Sequence, residues 1–324
     1  MRDARPWVIA AILGLLVALP WIADAIGQPA LTGMMTRALI YGIAAASLNL
    51  ALGYGGMVSF GHAAFFGIGA YTVGILYAHH ASGEPFLGLV PGTDRLILTI
   101  PAAMLVSGVT AALIGALSLR TAGVQFIMIT LAFAQMLFFL FVSLEAYGGD
   151  DGLIIRRANA FMGLNLRDKA TMYWLCLAFA AATLLILHRI VNSRFGIAIA
   201  GLRQSERRMQ AIGLHPWRYR LAAFTLSGMG AGLAGALMAN YLRFASPDML
   251  HWTKSGELMI MVILGGVGTL IGPFLGAFAF IALESALAAR TEHWPLALGL
   301  ILLLVVLGTR GGLRALLLRT GRRR

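Results

Sequence analysis

The stretch Leu48-Asn-Leu-Ala-Leu-Gly-Tyr-Gly-Gly-Met-Val-Ser-Phe-Gly-His-Ala-Ala-Phe-Phe-Gly-Ile-Gly-Ala-Tyr71 decides the fold class. Apolar sequence lies on either side of Gly53 to Gly61, which is too rich in glycine to continue a regular helix and too short for an ordinary loop. A second segment of the same kind, Gly265-Gly-Val-Gly-Thr-Leu-Ile-Gly-Pro273, joins two further apolar runs. Opened backbone survives at membrane depth only where protein or a wet cavity covers its N–H and C=O groups. The two breaks are therefore the expected translocation path, with Asn49, Gly55, Ser59, His62, Gln135, Gly265 and Gly266 as its expected residues.

Outward from these breaks, 59% hydrophobic and only 12% charged residues describe a chain that needs lipid as its solvent. A spanning helix takes about 20 apolar residues for roughly 30 Å of hydrocarbon. Runs of that kind fall near Trp7 to Ala25, Thr36 to Leu52, Val58 to Ala78, Leu96 to Leu119 and Val124 to Leu144. Others fall near Tyr173 to Val191, Tyr219 to Leu242, Glu257 to Leu270, Gly272 to Ala289 and Trp294 to Gly308. The expectation is an all-α, polytopic transmembrane bundle of about ten spans, forming one domain over residues 1–324.

Charge sets the expected orientation. Of the 25 Lys and Arg, sixteen fall on the side of Arg2 and Arg5 when the loops are counted alternately, and nine on the other. The positive-inside bias then puts both termini, the loop 192–218 and the basic tail 310–324 in the cytoplasm. The net charge of +12 is mostly arginine bunched at the ends of apolar runs, so its expected partner is membrane lipid and not nucleic acid. Ala23, Asp24 and Ala25 read as a small-x-small cleavage site, but a basic start and apolar run equally describe a first span, which is the reading preferred.

Glycine spacing elsewhere has a plainer meaning. Gly228 with Gly232, and Ala231 with Gly235, lie where a regular helix continues, and close packing of helices is the expectation there. Among polar residues in apolar runs, His62 is read first as a packed contact and Glu257 as a solvated or Lys254-paired carboxylate. Glu284 receives no role, since a late turn of the ninth run reaches the outer headgroups.

In the loop 192–218, Phe195, Ile199, Leu202, Met209 and Ile212 recur at helical spacing, with Arg203, Gln204, Arg207, Arg208 and Gln210 on other faces. One short amphipathic helix is expected. Its chemistry alone suits either a rest on anionic headgroups or a docking contact.

With these residues in view, the chain resembles the branched-chain amino acid permease family of ABC importers. The resemblance rests on Leu48 to Tyr71, Gly148-Gly-Asp-Asp-Gly-Leu153, Ser193-Arg-Phe-Gly196, Gln204-Ser-Glu206 and Ala211-Ile-Gly213. It continues through Ala231-Gly-Leu-Ala-Gly-Ala-Leu237, Ser246-Pro-Asp248 and Met261 to Pro273. The family implies a bacterial inner-membrane subunit that works with a second related permease, two cytoplasmic ATP-binding subunits and a periplasmic solute-binding protein. It also implies that Ser205, Glu206, Ala211 and Gly213 lie in the coupling helix on an ATPase; for Asp150 and Asp151 it suggests contact with the binding protein or the entering solute, where the residues alone equally suit a solvated turn. Tyr147, where threonine is expected, and Gln135, where glutamate is common, depart from the pattern. Urea, short amides and aromatic carboxylates are solutes of the same family.

An enzyme is not expected. The sequence has no Gly-x-x-x-x-Gly-Lys-Ser/Thr loop, no His-Glu-x-x-His cluster and a single cysteine, Cys176, inside an apolar run, so neither a cofactor nor a metal is anticipated. A secondary transporter would place ion-coupling carboxylates at broken helices near the midplane, whereas the acidic residues here lie mainly in loops or near run ends.

Overall fold

The structure, a computed structural model, describes residues 6–85, 91–156, 166–290 and 293–308. Each of the ten apolar runs folds as a helix. In chain order these begin with α1 (Pro6–Ala25), α2 (Pro29–Asn49), α3 (His62–Ser82), α4 (Leu96–Ser118), α5 (Val124–Ser143) and α6 (Lys169–Val191). Two short helices follow, α7 (Arg194–Gln204) and α8 (Glu206–Ala211), and then α9 (Pro216–Leu242), α10 (Trp252–Gly265), α11 (Gly272–Ala288) and α12 (Trp294–Gly308). Among the described residues five helices are long and apolar enough to cross a membrane: α2 with its continuation to Tyr54, α4, α5, α6 and α9. The basic tail 310–324 lies outside the described residues.

Helix boundaries differ from the sequence reading most tellingly around the two breaks. α3 starts at His62 rather than near Val58, because the chain turns at Gly56 (φ 70°) and runs non-helically to Gly61. The opened backbone there is held by side chains: Thr130 Oγ1 accepts from Phe60 N at 3.3 Å, Ser59 Oγ accepts from Gly61 N at 3.1 Å, and Ser255 Oγ donates to Phe60 O at 2.6 Å. α10 starts at Trp252 and stops at Gly265, earlier than the run Glu257 to Leu270, because Gly266 takes φ 118° and leaves the helix. α2 ends in a π-helical turn, Leu50–Tyr54, at the first break, a local widening that helices frequently show at functional positions.

Among the described residues a short two-stranded ribbon interrupts the helices. Leu153–Ile154 (β1) pairs antiparallel with Phe244–Ala245 (β2), Leu153 opposite Ala245. This ribbon ties the loop after α5 to the end of α9. The end of α3 joins them through His79, whose Nε2 lies 3.0 Å from Tyr147 Oη. Hence the C-terminal ends of α3, α5 and α9 gather at one end of the bundle. At the opposite end α7 meets the start of α9, where Phe195 and Tyr219 stack with centroids 5.9 Å apart.

The centre is built from α2, α3 and α9. α2 is buried along almost all of Ala38 to Asn49. α9 presents small residues to α3 and α4: Gly69 lies against the Gly232 backbone, and a Cβ at Gly235 would strike the Phe66 carbonyl. Helices in lipid gain little from burying apolar surface against one another, so backbone approach of this kind supplies the packing that holds them. Outer helices expose large apolar side chains, among them Leu105 and Leu113 on α4 and Met128 and Phe139 on α5, a surface matched to acyl chains. Asp168 caps α6: its carboxylate accepts from Thr171 Oγ1 at 2.9 Å and Thr171 N at 3.1 Å, which holds its pKa below the ordinary carboxylate value.

Candidate functional site

Two helix ends far apart in sequence come together at the breaks. The π-helical turn leaves Gly53 where a Cβ would collide with Gly268 N, so the two glycine segments touch backbone to backbone. Asn49, on the last turn of α2, spans them: its Oδ1 accepts from Gly268 N at 2.9 Å and its Nδ2 donates to Thr269 O at 2.8 Å. A primary amide is suited to this, since it offers a donor and an acceptor on one planar group to a strand of free backbone. Thr269 closes the second break on itself, donating to Gly266 O at 2.8 Å and accepting from Gly272 N at 3.2 Å.

The remaining expected path residues divide. Gly55 follows the π-turn, its N–H bonded to Leu50 O at 3.2 Å, and Gly265 packs against the Gly272 carbonyl. Ser59 and His62 are fully buried beyond the turn. His62 Nε2 lies 2.7 Å from Ser227 Oγ, which itself donates to Ser47 O at 2.5 Å. The serine proton is thus committed, His62 is the donor through Nε2, and its Nδ1 is left without a partner. Phe65 and Phe224 meet the imidazole edge-on at 5.5 Å and 5.4 Å. This is a packing contact between α3 and α9. Gln135 stands apart on α5, five residues past Thr130, with Oε1 buried and unpartnered.

Sequence reasoning gave no role to Glu284, and the structure shows that its partner is Arg37. Its Oε1 accepts from Arg37 Nη2 at 2.7 Å, joining α11 to α2. Arg37 also lies over the Tyr41 ring, 5.7 Å from its centroid. Periodicity could not show this pair, because its members are 247 positions apart. Of the two arrangements expected for Glu257, the structure shows the pair with Lys254, at 2.9 Å.

The loop 192–218 is two helices and not one. Ser205 takes extended angles (φ −161°, ψ 107°) and caps α8, while Ser193 caps α7. Ser hydroxyls compete for backbone donors and so favour such starts over helix interiors. The apolar face also turns inward: Ile199 and Leu202 are buried in the bundle, and Met209 packs against Gly201. What α8 and its exit present outward is Arg207, Arg208, Gln210, Ala211 and Ile212, the last 70% exposed. Glu206 pairs with Arg220 of α9 at 2.9 Å. Gly213 follows with φ 86° and open space around it.

At the other end Asp150 and Asp151 form an exposed 3-10 turn bounded by Gly148, Gly149 and Gly152, all at positive φ. Tyr147 beside them is held by His79. Arg203, Ser227 and Arg220 are contributors that sequence reasoning did not single out as path or docking residues. The pattern marked Arg203 only as polar-face.

A bundle of apolar helices in which two helix breaks meet beside α7 is the architecture of a multi-pass membrane protein. The comparisons define it more narrowly. The profile of the family described as branched-chain amino acid transport system / permease component matches residues 30–307. The chain is 26% identical to the high-affinity branched-chain amino acid transport system permease protein LivM of Escherichia coli strain K12, over 94% of this chain and 74% of that protein. It is 24% identical to the probable branched-chain amino acid transport permease protein LivM of Methanocaldococcus jannaschii, over 81% and 82% of the two chains. The autoinducer 2 import system permease protein LsrC of Klebsiella pneumoniae matches at 33% identity over 53% of this chain and 50% of its own. No solved structure matches. The chain belongs to the branched-chain amino acid transport permease family, as a multi-pass, non-catalytic permease component of an ABC transporter.

Proposed function

We propose that this chain forms the translocation path of an ATP-driven importer for branched-chain or related amino acids, together with a second related permease. ATP is hydrolysed on two separate cytoplasmic subunits, and a periplasmic solute-binding protein delivers the solute. In this reading the chain crosses the inner membrane ten times, with both termini and α7–α8 cytoplasmic and Asp150 and Asp151 periplasmic. The observation that carries it is the convergence of both broken segments on Asn49 at the end of the bundle where α7 and α8 lie. Broken helices at a shared point give a protein the means to open and close a polar path without exposing free backbone to lipid. The exposed α8, with Ser205, Glu206, Ala211 and Gly213, is the docking segment for an ATPase subunit.

The relatives named for branched-chain amino acid transport cover 81–94% of the chain, whereas those named for autoinducer 2 import cover 32–53%, which favours the amino acid solute. The test is reconstitution of the chain with its partner permease, ATPase subunits and binding protein in proteoliposomes. ATP-dependent uptake of labelled leucine, isoleucine or valine is expected. Uptake by the chain alone, without ATP, would overturn the importer reading. ATP-driven uptake of another solute class only would overturn the amino acid assignment.

A further inference from the structure

Arg203 reaches from α7 into the junction of the two breaks. Its Nη1 donates to the Gly53 carbonyl, its side-chain stem lies against Gly56, and its guanidinium faces Gly268. The Gly53 carbonyl needs such a donor. The amides that follow are committed elsewhere: Gly55 N to Leu50 O, Gly56 N to Leu52 O and Met57 N to Ala51 O. A carbonyl left open by the end of a π-turn is thus satisfied by a charged side chain from another helix, a stronger bond than a neutral one. Around this contact is a cavity of about 380 Å³ lined by Gly53, Tyr54, Ala200, Arg203, Gln204 and Gly268.

Position gives the contact its meaning. Arg203 is on the last turn of α7, two residues before the extended Ser205 at which α8 begins. Ser205 is the one-residue joint between the turn that carries Arg203 and the start of α8. Asn49, on the turn just before Gly53, ties the same junction to the second break through its bonds to Gly268 and Thr269.

We propose that Arg203 is the positioning residue that couples the docking segment to the path, latching Gly53 and with it both breaks shut until α8 moves. The proposal rests on the reading of α8 as the ATPase-docking segment. Both arginine and lysine are cations, but only arginine offers a rigid planar fork that holds one carbonyl while its stem lies flat on Gly56. Arg203→Lys should therefore act as a weak latch and Arg203→Met as none.

The experiment uses the complete transporter in proteoliposomes, with uptake of labelled branched-chain amino acid measured per ATP hydrolysed and leak measured without ATP. In Arg203→Met, uptake per ATP should fall about tenfold, the scale of one lost charged hydrogen bond, and ATP-independent leak should rise. Arg203→Lys should fall between this and the wild type. Wild-type uptake per ATP with no added leak in Arg203→Met would overturn the latch. Should that variant not assemble, Tyr54→Cys with Gln204→Cys, both lining the same cavity, replaces it: bridging the pair with a bifunctional methanethiosulfonate reagent should stop ATP-driven uptake and reductant should restore it. Full uptake in the cross-linked transporter would overturn the proposal. Failure of wild-type chain to co-purify with ATPase subunits would instead overturn the docking reading itself, and the latch with it.

Discussion

Two sets of glycines in this protein do opposite work. Gly228, Gly232 and Gly235 lie within the unbroken 27-residue α9, where their missing side chains let α3 and α4 approach. Gly56, Gly266 and Gly268 lie where the chain leaves a helix, each at positive φ. In α9 the backbone bonds stay inside the helix, and the glycine serves its neighbours. At the breaks the freed groups are taken up by Asn49, Thr269 and Arg203, and the glycine serves the chain's own turn. Glycine density is therefore not the signal of a functional break. The signal is density together with polar side chains from other helices that replace the lost bonds.

The sharpest way to test this contrast is a large side chain in each set. Gly235→Leu would drive a Cβ into the Phe66 carbonyl, a backbone atom that cannot step aside. Overpacking costs about 1–3 kcal/mol where side chains yield, and a backbone collision lies at or above the top of that range. The expected outcome is loss of monodisperse protein after detergent extraction, with loss of transport only as a consequence. Normal yield would remove α9 from the packing class.

At the breaks the order of effects should reverse. Gly266→Leu forces a side chain onto φ 118°, a strain of about 1–3 kcal/mol, while Gly55→Leu brings a Cβ to 2.7 Å from Ala51 O and 2.8 Å from Met57 Cε. Both variants should still assemble with their partners and both should block uptake, as read by co-purification and proteoliposome transport. Normal transport in the two would detach the breaks from the path.

A smaller effect is expected at Arg37 and Glu284, which also join distant helices but by charge. Their side chains are 35% and 16% exposed, so the pair is only partly desolvated. Glu284→Gln leaves Arg37 without its counter-charge and should cost about 1–3 kcal/mol, measured as a lower thermal midpoint of the purified protein. The double variant Arg37→Met with Glu284→Leu should recover part of the loss, since removing both charges also removes their desolvation. A double variant worse than the single one would mean that the charges serve something other than each other.

The helical runs were legible because apolar length is a property of sequence alone. The two breaks were legible as well, from glycines and Pro273 set between apolar runs. Their meeting was not, since Asn49 and Gly268 are 219 positions apart and no periodicity relates them. The loop 192–218 shows the limit most clearly. Apolar residues at helical spacing predict a single helix, but Ser205 finds better hydrogen bonding as a cap than inside one, and the chain bends there. The same spacing could not say whether Ile199 and Leu202 face a partner or the protein's own core. They face the core.

That inward turn changes what the docking prediction can rest on, and it sets the smallest of the expected effects on stability. With Ile199 and Leu202 buried, the outward face of α8 is carried by charged and small residues, and Glu206 already has Arg220 as a partner at 2.9 Å. The pair is 43% and 24% exposed on its two sides, so it contributes about 0.2–1 kcal/mol to the fold. Arg220→Gln removes the pair but leaves Glu206 in place, and should change transport little. Glu206→Arg removes the same pair, adds a charge beside Arg220 and reverses the face offered to the ATPase. If α8 docks, Glu206→Arg should lower ATPase co-purification and solute-stimulated ATP hydrolysis well beyond Arg220→Gln, although both lose the same internal contact. Gly213→Val should act in the same direction, because φ 86° at the exit of α8 is costly for a β-branched residue even with open space around it. A helix that merely rests on anionic headgroups gives the opposite order, since Glu206→Arg adds a cation to the surface while loss of Arg207 and Arg208 weakens attachment. Full coupling in both Glu206→Arg and Gly213→Val would leave the permease assignment standing and remove α8 from the docking surface.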